Sequence, residues 1–219
     1  MLRQRSERVE RIGWWCGLAA VLLISGGFFA IDEGGTTDPD GPIGVLVDEI
    51  ARSPGRIIVG NLVGMIGALL LMWFASALRI RLAREGDVGL LIGLAAFGSS
   101  VLMSAGALAH GSFRLAETSV DGRTLAEAMR PLAILETHVT DAHWFGMIGL
   151  VVAISVAGFA VRLIPRAMAA IGVLLSVVAI ALSPTSHGAA AVSLQPWLIV
   201  VCVLLLIPRG EARFAPNAP

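Results

Sequence analysis

Tyrosine and lysine are absent from the 219 residues, charged side chains make up only 15% of them, and there are just two cysteines. Two cysteines cannot build the multi-bridge framework of a small secreted scaffold. Sixteen basic residues, all arginine, stand against sixteen acids, so the chain lacks the basic excess that a nucleic-acid binder needs. No collagen-like period and no polar low-complexity tract appears, which excludes fibrous and disordered classes. What is present is apolar: 56% of residues are hydrophobic and the mean hydropathy is +0.82, far above an ordinary water-soluble domain. The composition is that of a membrane protein, and its spans leave little length for a separate catalytic domain.

A hydrocarbon core of about 30 Å needs about 20 apolar residues in helix. Six stretches of roughly that length are free of Asp, Glu and Arg: 12–31, 57–78, 88–110, 143–161, 167–182 and 189–207. The reading is therefore an all-α fold, a six-transmembrane helix bundle forming one domain, with loops at 32–56 and 111–142. Pro184 is expected to stop the fifth span, and Gln195-Pro196 to kink the sixth, since proline deletes a backbone donor. The first stretch reads as an uncleaved anchor: its apolar run is long for a signal peptide, and Phe28 sits where a small residue should precede cleavage after Ala30. Cys16 and Cys202 fall in apolar helices, where cysteine behaves as a small hydrophobe.

Arginine near helix ends is retained on the cytoplasmic side. With both termini inside, eleven arginines and five acids lie in the cytoplasmic segments and five arginines and eleven acids outside, a balance of +6 against −6. Both large loops are then extracytoplasmic, and each is expected to carry a short amphipathic helix. In the first, a turn-forming run from Asp32 to Pro42 precedes Ile43, Val45, Leu46, Val47 and Ile50. In the second, Thr124-Leu125-Ala126-Glu127 matches a capping box, and Leu132, Leu135, Val139 and Ala142 recur at helical spacing, so that this helix can run on into the fourth span.

All four histidines, His110, His138, His143 and His187, fall at or near the outer face. Imidazoles with Asp141 have the chemistry to ligate zinc or copper, and two facing helices could offer axial histidines to a haem. Against this, His138 and His143 diverge by about 140° on a continuous helix and converge only if the helix breaks. The competing reading has the histidines and Trp144 anchoring helix ends among the lipid headgroups. The loop carboxylates from Asp32 to Asp48 and from Glu117 to Asp141 read as solvated charge, and no nucleophile elbow, phosphate loop, HExxH or CxxC motif is present.

Within the spans no ionisable group lies near mid-membrane, which disfavours an ion-coupled carrier. Asn61 and Gln195 read as interhelical hydrogen-bond donors. Gly60-x-x-x-Gly64 and Gly89-x-x-x-Gly93 let helices approach closely, within one bundle or between copies. The helix end Trp73–Gly86, rich in arginine, and the turn Leu163-Ile164-Pro165-Arg166 resemble those of multi-helix membrane proteins common in actinobacteria. The resemblance implies a cell inner-membrane protein from a GC-rich bacterial genome, and that family has no established activity to transfer. The expected function is non-enzymatic: the bundle contacts the lipid bilayer and works with a membrane protein partner or a second copy, or passes a small solute. The alternative is an outward-facing metal or haem protein, with hydrolysis by a metal-activated water as a remoter variant.

Orientation is testable directly. A phosphatase active only outside the cytoplasm should be silent when fused after Pro219 and active when inserted between residues 111 and 142. The opposite pattern would invert the topology.

Overall fold

The computed structural model describes residues 2–31, 52–119, 122–186 and 193–207, and the described residues are helical apart from short turns. Among the described residues six helices follow one another: α1 (Leu2–Ile31), α2 (Pro54–Ala83), α3 (Gly86–Ser119), α4 (Gly122–Val161), α5 (Arg166–Ser186) and α6 (Leu194–Leu206). Four contain a stretch long and apolar enough to cross a membrane: Arg8–Gly27, Pro54–Ala83, Gly86–Thr118 and His138–Val161. The protein is a membrane protein with a helical bundle. The apolar parts of α5 and α6, Arg166–Leu182 and Leu194–Leu206, are shorter.

Several boundaries differ from the sequence reading. Proline at the first helical position starts α2 at Pro54, because its missing N–H would be unsatisfied there anyway. Segment 111–142 is not a loop: α3 continues to Ser119 and α4 begins at Gly122, so Thr124 falls inside a helix already under way. A helix does not end where its apolar run ends, since each further residue adds a hydrogen bond to an existing ladder. Pro131 lies inside α4 without ending it, and α5 runs through Pro184 to Ser186. Gln195-Pro196 falls in the first turn of α6, where a proline opens a helix rather than kinking one. The amphipathic helix expected at 43–50 lies outside the described residues.

Consecutive helices pack side by side from α1 to α5, and α6 docks on α1 while touching α4 and α5. The core joins Trp14, Ile24, Leu71, Phe74 and Leu78 of α1 and α2 to Met103 of α3, Met147, Leu150 and Ile154 of α4, and Leu194, Trp197 and Leu198 of α6. Trp14 meets the Phe74 ring edge-on at 5.9 Å, and Trp197 Nε1–H donates to the Met168 carbonyl at 3.0 Å. Outward faces carry Leu22, Val59, Leu69, Leu91, Leu174 and Val177, all exposed, as helices solvated by lipid require.

Glycines set the helix spacing. A Cβ on Gly27 would lie 2.6 Å from the Gly60 carbonyl and 2.9 Å from the Gly64 nitrogen, so the Gly60-x-x-x-Gly64 face receives α1 within the bundle. Gly89 and Gly93 likewise close on Leu82 and Arg79 of α2 beyond the turn at Gly86, whose φ is +82°. On α3 and α4, Gly106 abuts the His143 backbone and Gly146 abuts Met103, with a Cβ at 2.7 and 2.4 Å respectively from their backbone nitrogens.

Overpacking at such a contact costs about 1–3 kcal/mol. Gly146→Ala should therefore lower the melting temperature in detergent, whereas Gly98→Ala, where a Cβ meets nothing within 4 Å, should leave it unchanged or raise it. Equal melting of the two variants would refute the close α3–α4 approach.

Candidate functional site

The polar side chains concentrate where α2, α3 and α4 meet, at the end of the bundle opposite both the α2–α3 turn and the α4–α5 turn. Asn61 is buried, and its amide donates to the Ile57 carbonyl of its own helix at 2.8 Å. It is thus not the interhelical donor the sequence suggested: a donor one turn beyond a free carbonyl lone pair finds its partner locally. The bond between α2 and α3 comes instead from Ser104, whose hydroxyl donates to the Ala68 carbonyl at 3.0 Å. Gly111 sits over Met65 and Asn61, which seats this part of α3 on α2. Gln195 is buried at the start of α6.

Two histidines meet here. His143 is fully buried, and its Nδ1–H donates to the Met103 carbonyl at 2.8 Å, while its ring packs edge-on against Trp144 at 5.0 Å. His110 is half-buried, with Nδ1 3.2 Å from Thr140 Oγ1 and within electrostatic reach of His143 and Arg114. His138 is exposed on another face of α4, as the 140° divergence on an unbroken helix requires. Asp141 lies mid-helix and half-buried, not at a helix start, so it caps nothing. His187 is outside the described residues.

Among the described residues no group of three or more His, Cys, Asp or Glu could hold a metal ion. Gly106, one turn before His110, packs against the His143 backbone, so α3 and α4 approach closely there. Cys16 and Cys202 are free thiols.

The group that sequence reasoning missed is Glu117. Read as solvated loop charge, it is 1% exposed, with Oε2 accepting a 3.2 Å hydrogen bond from Arg114 Nη1. Among the described residues its Oε1 has no hydrogen-bonding partner. Helix continuation past His110 is what turns Arg114 and Glu117 into an i, i+3 neighbour pair. The spacing Arg-x-x-Glu was visible; what hid it was the assumption that the helix stopped with its uncharged stretch.

Together these bonds brace one place: Ser104 ties α3 to α2, and His110 with Thr140 and His143 with Met103 tie α3 to α4. The chemistry of the arrangement is that of a fixed polar joint in an apolar bundle.

No family model matches the chain, and no curated protein or solved structure matches it either.

Removing one member of a buried ion pair strands the other charge and costs about 3–5 kcal/mol. Arg114→Ala should destabilise the detergent-solubilised protein by that order, and the double variant Arg114→Met with Glu117→Leu should recover much of the loss. If Arg114→Ala melts like the wild type, the pair is solvated and the buried placement is wrong.

Proposed function

We propose that the protein is a non-enzymatic, multi-pass membrane protein that presents a rigid helical hairpin to a protein partner outside the bilayer. The observation that carries this reading is length. At 1.5 Å per residue the 34-residue α3 and 40-residue α4 measure about 50 and 60 Å, against about 30 Å of hydrocarbon. The spanning stretch of α4 begins at His138, so its first 16 residues project. Ile134 and Leu135 are exposed on that projecting part. The polar joint at Ser104, His110, Arg114, Thr140 and His143 supports the base of the hairpin. The close α3–α4 contact at Gly106 and Gly146 favours this role over passage of a solute between those two helices.

The arginine asymmetry supports six spans with both termini cytoplasmic, and hence an extracytoplasmic hairpin. The resemblance to actinobacterial membrane proteins favours the plasma (inner) membrane of a bacterium. The partner is another membrane or envelope protein, or a second copy of this chain.

Site-specific photocrosslinking in native membranes tests the role. A photoreactive residue at Leu135 should yield one discrete protein adduct, and one at Leu174, on the lipid-facing side of α5, should yield none. Lipid adducts alone at both positions would overturn it.

One observation favours a second reading. A histidine held through Nδ1–H by a carbonyl, as His143 is by Met103, presents Nε2 in the manner of metal ligands. Zinc or copper at His110 and His143 would then be the function. Metal analysis of the purified protein decides between them: the leading reading expects no stoichiometric zinc or copper, and one equivalent lost in His143→Ala would replace it.

A further inference from the structure

The opposite end of the bundle carries a different chemistry. Antiparallel packing gathers there the starts of α1, α3 and α5 and the ends of α2 and α4. Among the side chains described at that end, seven arginines stand against three acids, Glu10, Glu85 and Asp87. Glu10 is bound to Arg84 and Glu85 to Arg81. Arg8, Arg11, Arg79, Arg162 and Arg166 lie outside those pairs and are exposed.

Arg162 is the informative one. It ends α4 with φ +55°, the only positive φ at a non-glycine position among the described residues. The next residue closes the helix, Leu163 N–H donating to the Ala157 carbonyl at 3.2 Å. Glycine normally occupies this left-handed position, because a Cβ there is strained. Leu163 and Ile164 then turn inward, each 2% exposed, and Arg166 opens α5. The turn is an apolar plug with an exposed guanidinium on either side.

Exposed tryptophans mark the depth. Trp15 is 58% exposed one turn inside Arg11, and Trp73 is 67% exposed less than two turns inside Arg79. Tryptophan concentrates at the headgroup level of a membrane, which puts these arginines among the lipid phosphates.

We infer that this end binds the headgroups of anionic phospholipids, with Arg162 and Arg166 forming the contact at the α4–α5 turn. Guanidinium groups recognise phosphate through paired N–H donors, and among the described side chains at this end seven arginines face only three acids, two of them already held in ion pairs. The inference needs only that this end lies at a membrane surface, so it stands or falls separately from the role of the hairpin.

The test is native mass spectrometry of the delipidated full chain mixed with equal amounts of phosphatidylglycerol and phosphatidylcholine. Phosphatidylglycerol should be retained preferentially. Each arginine removed should weaken its retention about fivefold, the equivalent of about 1 kcal/mol per basic residue. Arg162→Gly separates binding from folding: it relieves the left-handed strain, so it should melt no lower than wild type while its retention of phosphatidylglycerol falls about fivefold. Arg166→Gln, at the exposed first residue of α5, repeats the measurement without altering the turn. Arg52→Gln with Arg56→Gln, at the far end, should leave retention unchanged. Equal retention of the two lipids, unchanged binding in both turn variants, or an equal loss in the far-end variant would each overturn the proposal.

Discussion

Lipid supplies no hydrogen bonds, so each spanning segment must satisfy its own backbone, and its helices then associate through van der Waals contact rather than hydrophobic gain. Backbone-to-backbone approach at glycine is how this bundle meets that constraint. Gly27 against Gly60 and Gly64 joins α1 to α2, Gly89 and Gly93 close the turn from α2 to α3, and Gly106 and Gly146 join α3 to α4. Large side chains fill what remains, with Phe74, Leu71 and Leu78 from α2 and Met147, Leu150 and Ile154 from α4 fully enclosed. Of the four spanning stretches, that of α4 is the most deeply covered.

Close backbones also decide where polar groups can go. Small hydroxyls fit between the helices: Ser100 and Ser176 donate to carbonyls one turn back, and Ser104 alone among these reaches across to another helix. Bulkier groups collect at the end where α2, α3 and α4 diverge from pure apolar packing. There His143 is fixed by a main-chain carbonyl and Glu117 by Arg114. The first contact ties α4 to α3, and the second lies within α3.

The two ends of the molecule therefore differ in kind. At one, the Arg114–Glu117 pair is buried beside the buried His143. At the other, arginine is in excess and exposed, and Arg162 is held in strained backbone. Trp15 and Trp73 are exposed there, and Arg79 lies over the Phe97 ring, 5.8 Å from its centre.

Composition and spacing were enough to establish a helical membrane protein, the approximate course of four long apolar helices, and the divergence of His138 from His143. Each follows from a local property: apolar run length or about 100° of rotation per residue. The tertiary structure alone decided that α3 runs on past His110 to Ser119, that Asn61 bonds within its own helix, that Pro196 opens α6, and that Glu117 is buried. Helix ends and burial depend on which surface a neighbouring helix covers. That is a property of pairs of segments distant in the chain, and no single stretch of sequence encodes it.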